Sequence, residues 1–122
     1  MILLDTNALI WVESGHKRAW PLLRRSGRLY VSPASLFELQ IAYESKNLRL
    51  REVTPRWVLD DDRWVVDEPP VADWFLAAGE IGWTRDPFDR LLVAHALLRR
   101  WQFATADAHI LEQLGPSRTV EL

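Results

Sequence analysis

The sequence predicts an α/β domain with a mostly parallel sheet covered by helices on both faces, and three observations carry that reading. Short β-rich runs are each followed by a longer helical pattern, the signature of strands joined by crossover helices. Two helices announce their starts with a capping residue followed by proline, at Ser32-Pro33 and Asp86-Pro87. The length of 122 residues suits one domain, and 48% hydrophobic residues suffice for a core without disulfides or a structural metal.

The elements follow in order. Ile2–Leu4 reads as the first strand, leading into a helical segment Thr6–Glu13 and a helix near Lys17–Arg25. Leu29–Val31 is the second strand, and Ser32-Pro33 opens a helix to about Glu44. Leu48–Leu59 holds a short helix after a turn at Thr54-Pro55. Trp64–Val66 is a strand and Val71–Ile81 a helix ended by Gly82. Asp86-Pro87 begins a long helix to about Arg100. Phe103–Thr105 is a strand, Asp107–Leu114 a short helix, and Thr119–Glu121 the last strand. No linker or repeat divides the chain.

Composition excludes several classes. Charged residues make up 26%, which argues against disorder. The net charge is -2, from 15 Lys plus Arg against 17 Asp plus Glu, so no basic excess advertises a nucleic-acid binder. With no cysteine there is no disulfide, thiolate ligand or thiol nucleophile, which fits a cytoplasmic protein. Met1–Asp5 reaches a carboxylate at once, so it reads as a strand and not a signal peptide, and no apolar run could span a bilayer.

Four acids should meet at one edge. Asp5 follows the first strand, Glu38 lies early in the helix after the second, Asp89 sits in the first turn opened by Pro87, and Asp107 follows the Phe103–Thr105 strand. In an open parallel sheet, strand carboxyl ends and the following helix amino ends share the edge where ligand sites form. Each acid also has a local explanation. Asp5 and Asp107 can cap helices, Ser35-Leu36-Phe37-Glu38 fits a capping box, and helix dipoles favour any first-turn carboxylate. Capping does not explain why all four converge. Converging carboxylates repel, and a hard divalent cation relieves the repulsion. A site of acids without His or Cys points to Mg2+ or Mn2+ over zinc.

The fragments Leu4–Trp11 (LDTNALIW), Ser32–Ile41 (SPASLFELQI), Arg85–Ala96 (RDPFDRLLVAHA) and Thr105-Ala106-Asp107 resemble PIN-domain nucleases, and more closely the VapC-type toxins of bacterial toxin–antitoxin pairs. The similarity runs along essentially the whole chain. It implies a three-layer α/β/α sandwich that cleaves RNA with Mg2+ or Mn2+, with Asp5, Glu38, Asp89 and Asp107 as the catalytic and metal-binding acids. Thr6 and Asn7 match small polar positions beside the first acid, and Thr105 the one before the last. Asp86 belongs to the same motif but is assigned to capping, because Pro87 follows it. The resemblance further implies a homodimer and a cognate VapB-like antitoxin whose tail lies in an apolar groove near the acids. Relatives often carry His at position 7 and Lys at position 42, where this chain has Asn7 and Ala42. Asn7 can still bond a carboxylate or water, whereas Ala42 offers no phosphate contact.

Arg90 is a candidate for the scissile phosphate or for a salt bridge to an acid. Lys46, Arg49, Arg51 and Arg56 form a loose basic stretch, read as solvated surface. Asp60–Asp62 reads as a solvated turn, and His95 as a structural histidine on an apolar helix. Of seven tryptophans most should be core, with Trp11 and Trp57 the candidates for a partner groove. Two competing functions fit less well. A phosphoryl-accepting signalling domain wants paired acids after the first strand and a late lysine, and no lysine follows Lys46. A non-cleaving PIN-like module that binds RNA or a partner should have lost one of the acids, and all four are present.

Overall fold

The structure, a computed structural model, describes residues 1–25, 27–45 and 54–122. Its centre is β1 (Ile2–Leu4), a strand whose three residues are all buried, as expected where helices cover both faces of a sheet. On one side β1 pairs with β2 (Leu29–Val31), which pairs with β3 (Val65–Val66). On the other it pairs with β4 (Gln102–Thr105), which pairs with β5 (Thr119–Glu121). Every pairing is parallel, and the register sets Leu4 opposite Ala104.

The period-two alternation of β1 divides the core. Ile2 and Leu4 face α1 (Thr6–Ser14), α3 (Pro33–Glu44) and α4 (Pro55–Asp60) through Leu9, Leu39 and Val58, with Leu22 of α2 (Trp20–Leu23) and Trp64 beside them. Leu3 and Phe103 face α5 (Val71–Gly79), α6 (Pro87–Arg99) and α7 (Ala108–Leu114) through Trp74, Leu92, Val93 and Ile110. Helices on both faces of a five-stranded parallel sheet make the expected three layers. Among the described residues, no helix is long and apolar enough to cross a membrane.

The caps explain the boundaries. Ser32 Oγ accepts from the Ala34 N–H at 3.2 Å, and Asp86 Oδ1 accepts from Phe88 and Asp89 at 2.8 and 3.0 Å. Gly15 ends α1 with φ 67°, a left-handed conformation that glycine adopts without strain.

Several boundaries differ from expectation. The segment near Lys17–Arg25 is a 3-10 turn, Lys17–Ala19, running into the four-residue α2, because the His16 ring caps the turn by accepting from Arg18 N–H at 3.1 Å. The short helix expected at Thr54-Pro55 is α4, with Thr54 as its cap and Thr54 Oγ1 accepting from Trp57 N–H. Residues 48–53 of the expected Leu48–Leu59 segment lie outside the described residues. Trp64 sits just before β3, buried, its indole N–H donating to the Val58 carbonyl at 2.9 Å. The helix from Val71 stops at Gly79, where three-residue hydrogen bonds tighten the chain through Ile81.

Candidate active site

The carboxyl edge of the sheet assembles the acids through the two threonines beside them. Asp5 caps α1, and its Oδ1 accepts from the Thr6 N–H at 2.8 Å. Its Oδ2 accepts from Thr105 Oγ1 at 2.7 Å, a bond made possible because β4 lies directly beside β1. Thr105 Oγ1 also accepts from the Asp107 N–H at 3.1 Å. One fully buried hydroxyl thus ties the first acid to the last, across a hundred residues.

Thr6 does the same for the second acid. Its hydroxyl donates to Glu38 Oε1 and lies 2.9 Å from Ser35 Oγ. Ser35 and Glu38 are three residues apart on α3 and so share a helix face. The capping-box reading of Ser35 is therefore wrong. Pro33 already begins the helix, Ser32 is the cap, and Ser35 is buried inside against Thr6.

Asp107 caps α7 with Oδ1 alone, accepting from His109 and Ile110 at 2.9 and 3.0 Å. Capping and convergence are compatible, since one oxygen serves the helix and leaves the other uncommitted. Asp89, Asp5, Glu38 and Asp107 line one cleft of about 460 Å3, together with Thr6, Asn7, Ile10, Trp11, Arg18, Ala42 and Ala106. Asp86 caps α6 as expected and does not line the cleft, yet it is close enough to repel Asp5, Glu38 and Asp89.

Charge crowding is severe. Burial pushes Asp5 up from the usual carboxylate range, against the bonds from Thr105 and Thr6, and repulsion from Asp107 and Asp86 adds to it. Glu38 is raised mainly by burial, moderated by Thr6 and increased by Asp5 and Asp86. Asp89 is pushed up to about 7, first by burial and then by Asp86, Asp5, Asp107 and Glu38. A divalent cation would relieve all three at once.

The donor set fits a hard cation. The cleft offers carboxylate, hydroxyl and amide oxygens and no His or Cys. Among the described residues, no three His, Cys, Asp or Glu side chains are grouped closely enough to hold one ion by themselves. Mg2+ suits such an open site, because it commonly takes one or two carboxylates and keeps several waters.

Other candidates fall elsewhere. Arg90 does not line the cleft and pairs with no carboxylate among the described residues. Its Nε donates to the Thr84 carbonyl at 2.8 Å, fixing the loop before α6. Trp11 lines the cleft, whereas Trp57 packs edge-on against Trp64 outside it. Lys46, Arg49 and Arg51 lie outside the described residues. Asp61 is not merely solvated but pairs with Arg63. His95 is structural, fully buried with Nε2 2.7 Å from Asp67 Oδ2, which Arg99 also binds. Because a carboxylate only accepts, Nε2 carries the proton.

Sequence reading missed Arg18. Among the described residues it is the one cation lining the cleft, its guanidinium 4.8 Å above the Trp11 ring. The turn at Gly15 folds it back over α1, and its place beside Trp11 is a tertiary contact without a local signature.

The comparisons bear on this geometry. The family model for the PIN domain matches residues 2–115. No curated protein matches the chain. Among solved structures, a chain of a toxin–antitoxin complex from Klebsiella pneumoniae is similar at 20% identity and TM-score 0.69, with 100% of both chains covered. A chain of VapBC2 from Rickettsia felis, bound to a DNA fragment from its promoter, is similar at 20% identity and TM-score 0.67, covering 100% of this chain and 99% of that one. A chain of FitAB bound to an IR36 DNA fragment gives 21% and 0.54, covering 89% and 87%. At these identities the likeness concerns the fold. PIN domains are generally nucleases that use divalent metal ions. The family match runs from β1 through α7 and takes in all four acids, so the chain belongs to the PIN domain family.

Proposed function

We propose that this PIN domain is a cytoplasmic, Mg2+-dependent endoribonuclease, with Mn2+ able to substitute, and that it is the toxin of a type II toxin–antitoxin pair. The observation that carries this reading is the convergence of Asp5, Glu38, Asp89 and Asp107 on one cleft from four separate segments. These acids would hold the cation, which when bound activates water and stabilises charge growing on the scissile phosphate.

The chain's own residues set the rest. Thr105 and Thr6 orient Asp5 and Glu38 and favour their ionised forms. Arg18 faces the cleft as the group for a backbone phosphate, supplying what Ala42 does not. Asn7 offers an exposed amide to water or ribose.

The similar structures are toxin–antitoxin complexes, which supports a VapB-like antitoxin as partner. Trp11 and Ile10 give the cleft an apolar wall for an antitoxin tail. Exposed Val71, Phe75 and Leu76 on α5 give a homodimer an apolar face. The test is cleavage of total RNA by the purified chain with Mg2+, with EDTA, and with Asp5→Ala. Discrete products with 5′-phosphates that need both the metal and Asp5 are expected. Cutting that survives EDTA or Asp5→Ala would sink the reading.

A further inference from the structure

Helix α6 joins the acid cleft at its amino end to a second cleft at its carboxyl end, ~20 Å away at 1.5 Å per residue. This second cavity, of about 480 Å3, lies at the amino edge of the sheet where β4 and β5 begin. Arg100 and Arg118 line it with Trp101, Gln102 and Ser117, and among the described residues no carboxylate does.

Among the described residues, the two arginines have no counter-charge within ion-pair distance. Among the described residues, neither guanidinium makes an ion pair or a side-chain hydrogen bond, whereas neighbouring Arg99 is bound to Asp67. The helix dipole accounts for a cation at the end of α6. It does not account for Arg118, which enters from the turn before β5.

The backbone adds a second observation. Arg100 has φ 58° and ψ 37°, and among the described residues it is the one non-glycine with positive φ. Glycine would serve this helix end without strain, so what arginine adds is its side chain, at a residue that lines the cleft.

Guanidinium forks match phosphate oxygens in bidentate geometry. Trp101 lines the cleft, its ring fixed against Tyr30 with centroids 4.1 Å apart and with the Arg99 guanidinium 5.9 Å over it, and so supplies a rigid aromatic surface. Gln102 and Ser117 add hydrogen-bonding groups. We propose that this cleft binds a nucleotide phosphate between Arg100 and Arg118, with the attached base against Trp101. A phosphate of an RNA strand and a free mononucleotide share this chemistry. The inference does not rest on cleavage, and its test avoids it.

The full chain is titrated in EDTA with AMP, adenosine and a short oligoribonucleotide, following the amide resonances of Arg100, Gln102 and Arg118 by NMR. AMP or the oligomer should shift these amides, and adenosine should bind at least tenfold more weakly than AMP. Arg100→Gly and Arg118→Gln should each weaken binding by tenfold or more. Arg100→Gly should melt no lower than the wild type, because glycine suits that backbone, so lost binding there is not lost folding. Tighter binding of the oligomer than of AMP assigns the cleft to an RNA strand, and the reverse assigns it to a free nucleotide. Unmoved amides with every probe, adenosine binding as well as AMP, or unchanged affinity in both variants would overturn the proposal.

Discussion

Replacing Thr105 by valine should weaken cation binding while leaving the fold nearly intact. Valine keeps the shape of this fully buried side chain and removes only the hydroxyl. Two bonds go with it, the donation to Asp5 Oδ2 at 2.7 Å and the acceptance from Asp107 N–H at 3.1 Å. A hydrogen bond to a charged group is worth ~1.5–3 kcal/mol. Without it the Asp5 carboxyl, already raised by burial and by Asp107 and Asp86, rises further. A cation takes the ionised form, so Mn2+ affinity at neutral pH should fall roughly tenfold or more. The deficit should shrink as pH rises, because the ionised carboxylate is then favoured in both proteins. Asp107 is exposed, so water can satisfy its freed N–H, and the stability loss should be set by the Asp5 bond, ~1.5–3 kcal/mol, with the protein still folded. Calorimetric titration with Mn2+ at two pH values, beside thermal melting, reads both quantities. Wild-type affinity at neutral pH, or a deficit that ignores pH, would refute the link between Thr105 and the charge state of Asp5.

Other outcomes follow from the same charges. The Asp89 carboxyl is raised from 3.8 to about 7, so the folded state holds its proton more tightly than the unfolded one. Its contribution to stability is therefore full below 3.8 and fades as pH rises toward about 7 in divalent-free buffer. Asp89→Asn should remove that slope, and an unchanged slope by thermal melting contradicts the assignment. His95 runs the other way, because burial lowers its pKa below 6.5 despite Asp67, so its contribution is present above 6.5 and lost as pH falls below it. Asp67→Asn removes the charge and one of the two acceptor oxygens that His95 and Arg99 share, and should cost ~1–3 kcal/mol in denaturant unfolding, with no change in cation affinity. Arg18→Gln should raise KM for RNA roughly tenfold or more for one lost charge-assisted contact, leave kcat nearly unchanged, and reduce the salt slope of binding by about 0.7. An unchanged salt slope would remove Arg18 from the phosphate path.

How much of this was legible in the sequence depends on whether the signal was local. Ser32-Pro33 and Asp86-Pro87 fixed two helix starts because a capping oxygen and a preset proline φ act within three residues. The acid edge was legible because a parallel sheet sends every strand-to-helix turn to one side, so Asp5 and Asp107 had to be neighbours once β1 and β4 paired. Ser35 was misread because the capping-box pattern is local, whereas its partner Thr6 lies on another helix. Arg18 was invisible for the same reason, since Trp11 and the return at Gly15 place it. The early end of α5 at Gly79 comes from three-residue hydrogen bonds from Glu80 to Ala77 and from Ile81 to Ala78, which the periodicity does not signal.

The measurement that bears most directly on the central claim is calorimetric titration of the purified chain with Mg2+ and Mn2+, repeated on Asp5→Asn. Saturable binding by the wild type, lost or weakened by tenfold or more in a folded Asp5→Asn, is the predicted result. Equal binding by both proteins, or no binding by the wild type, would mean that the four acids do not work together as a cation site.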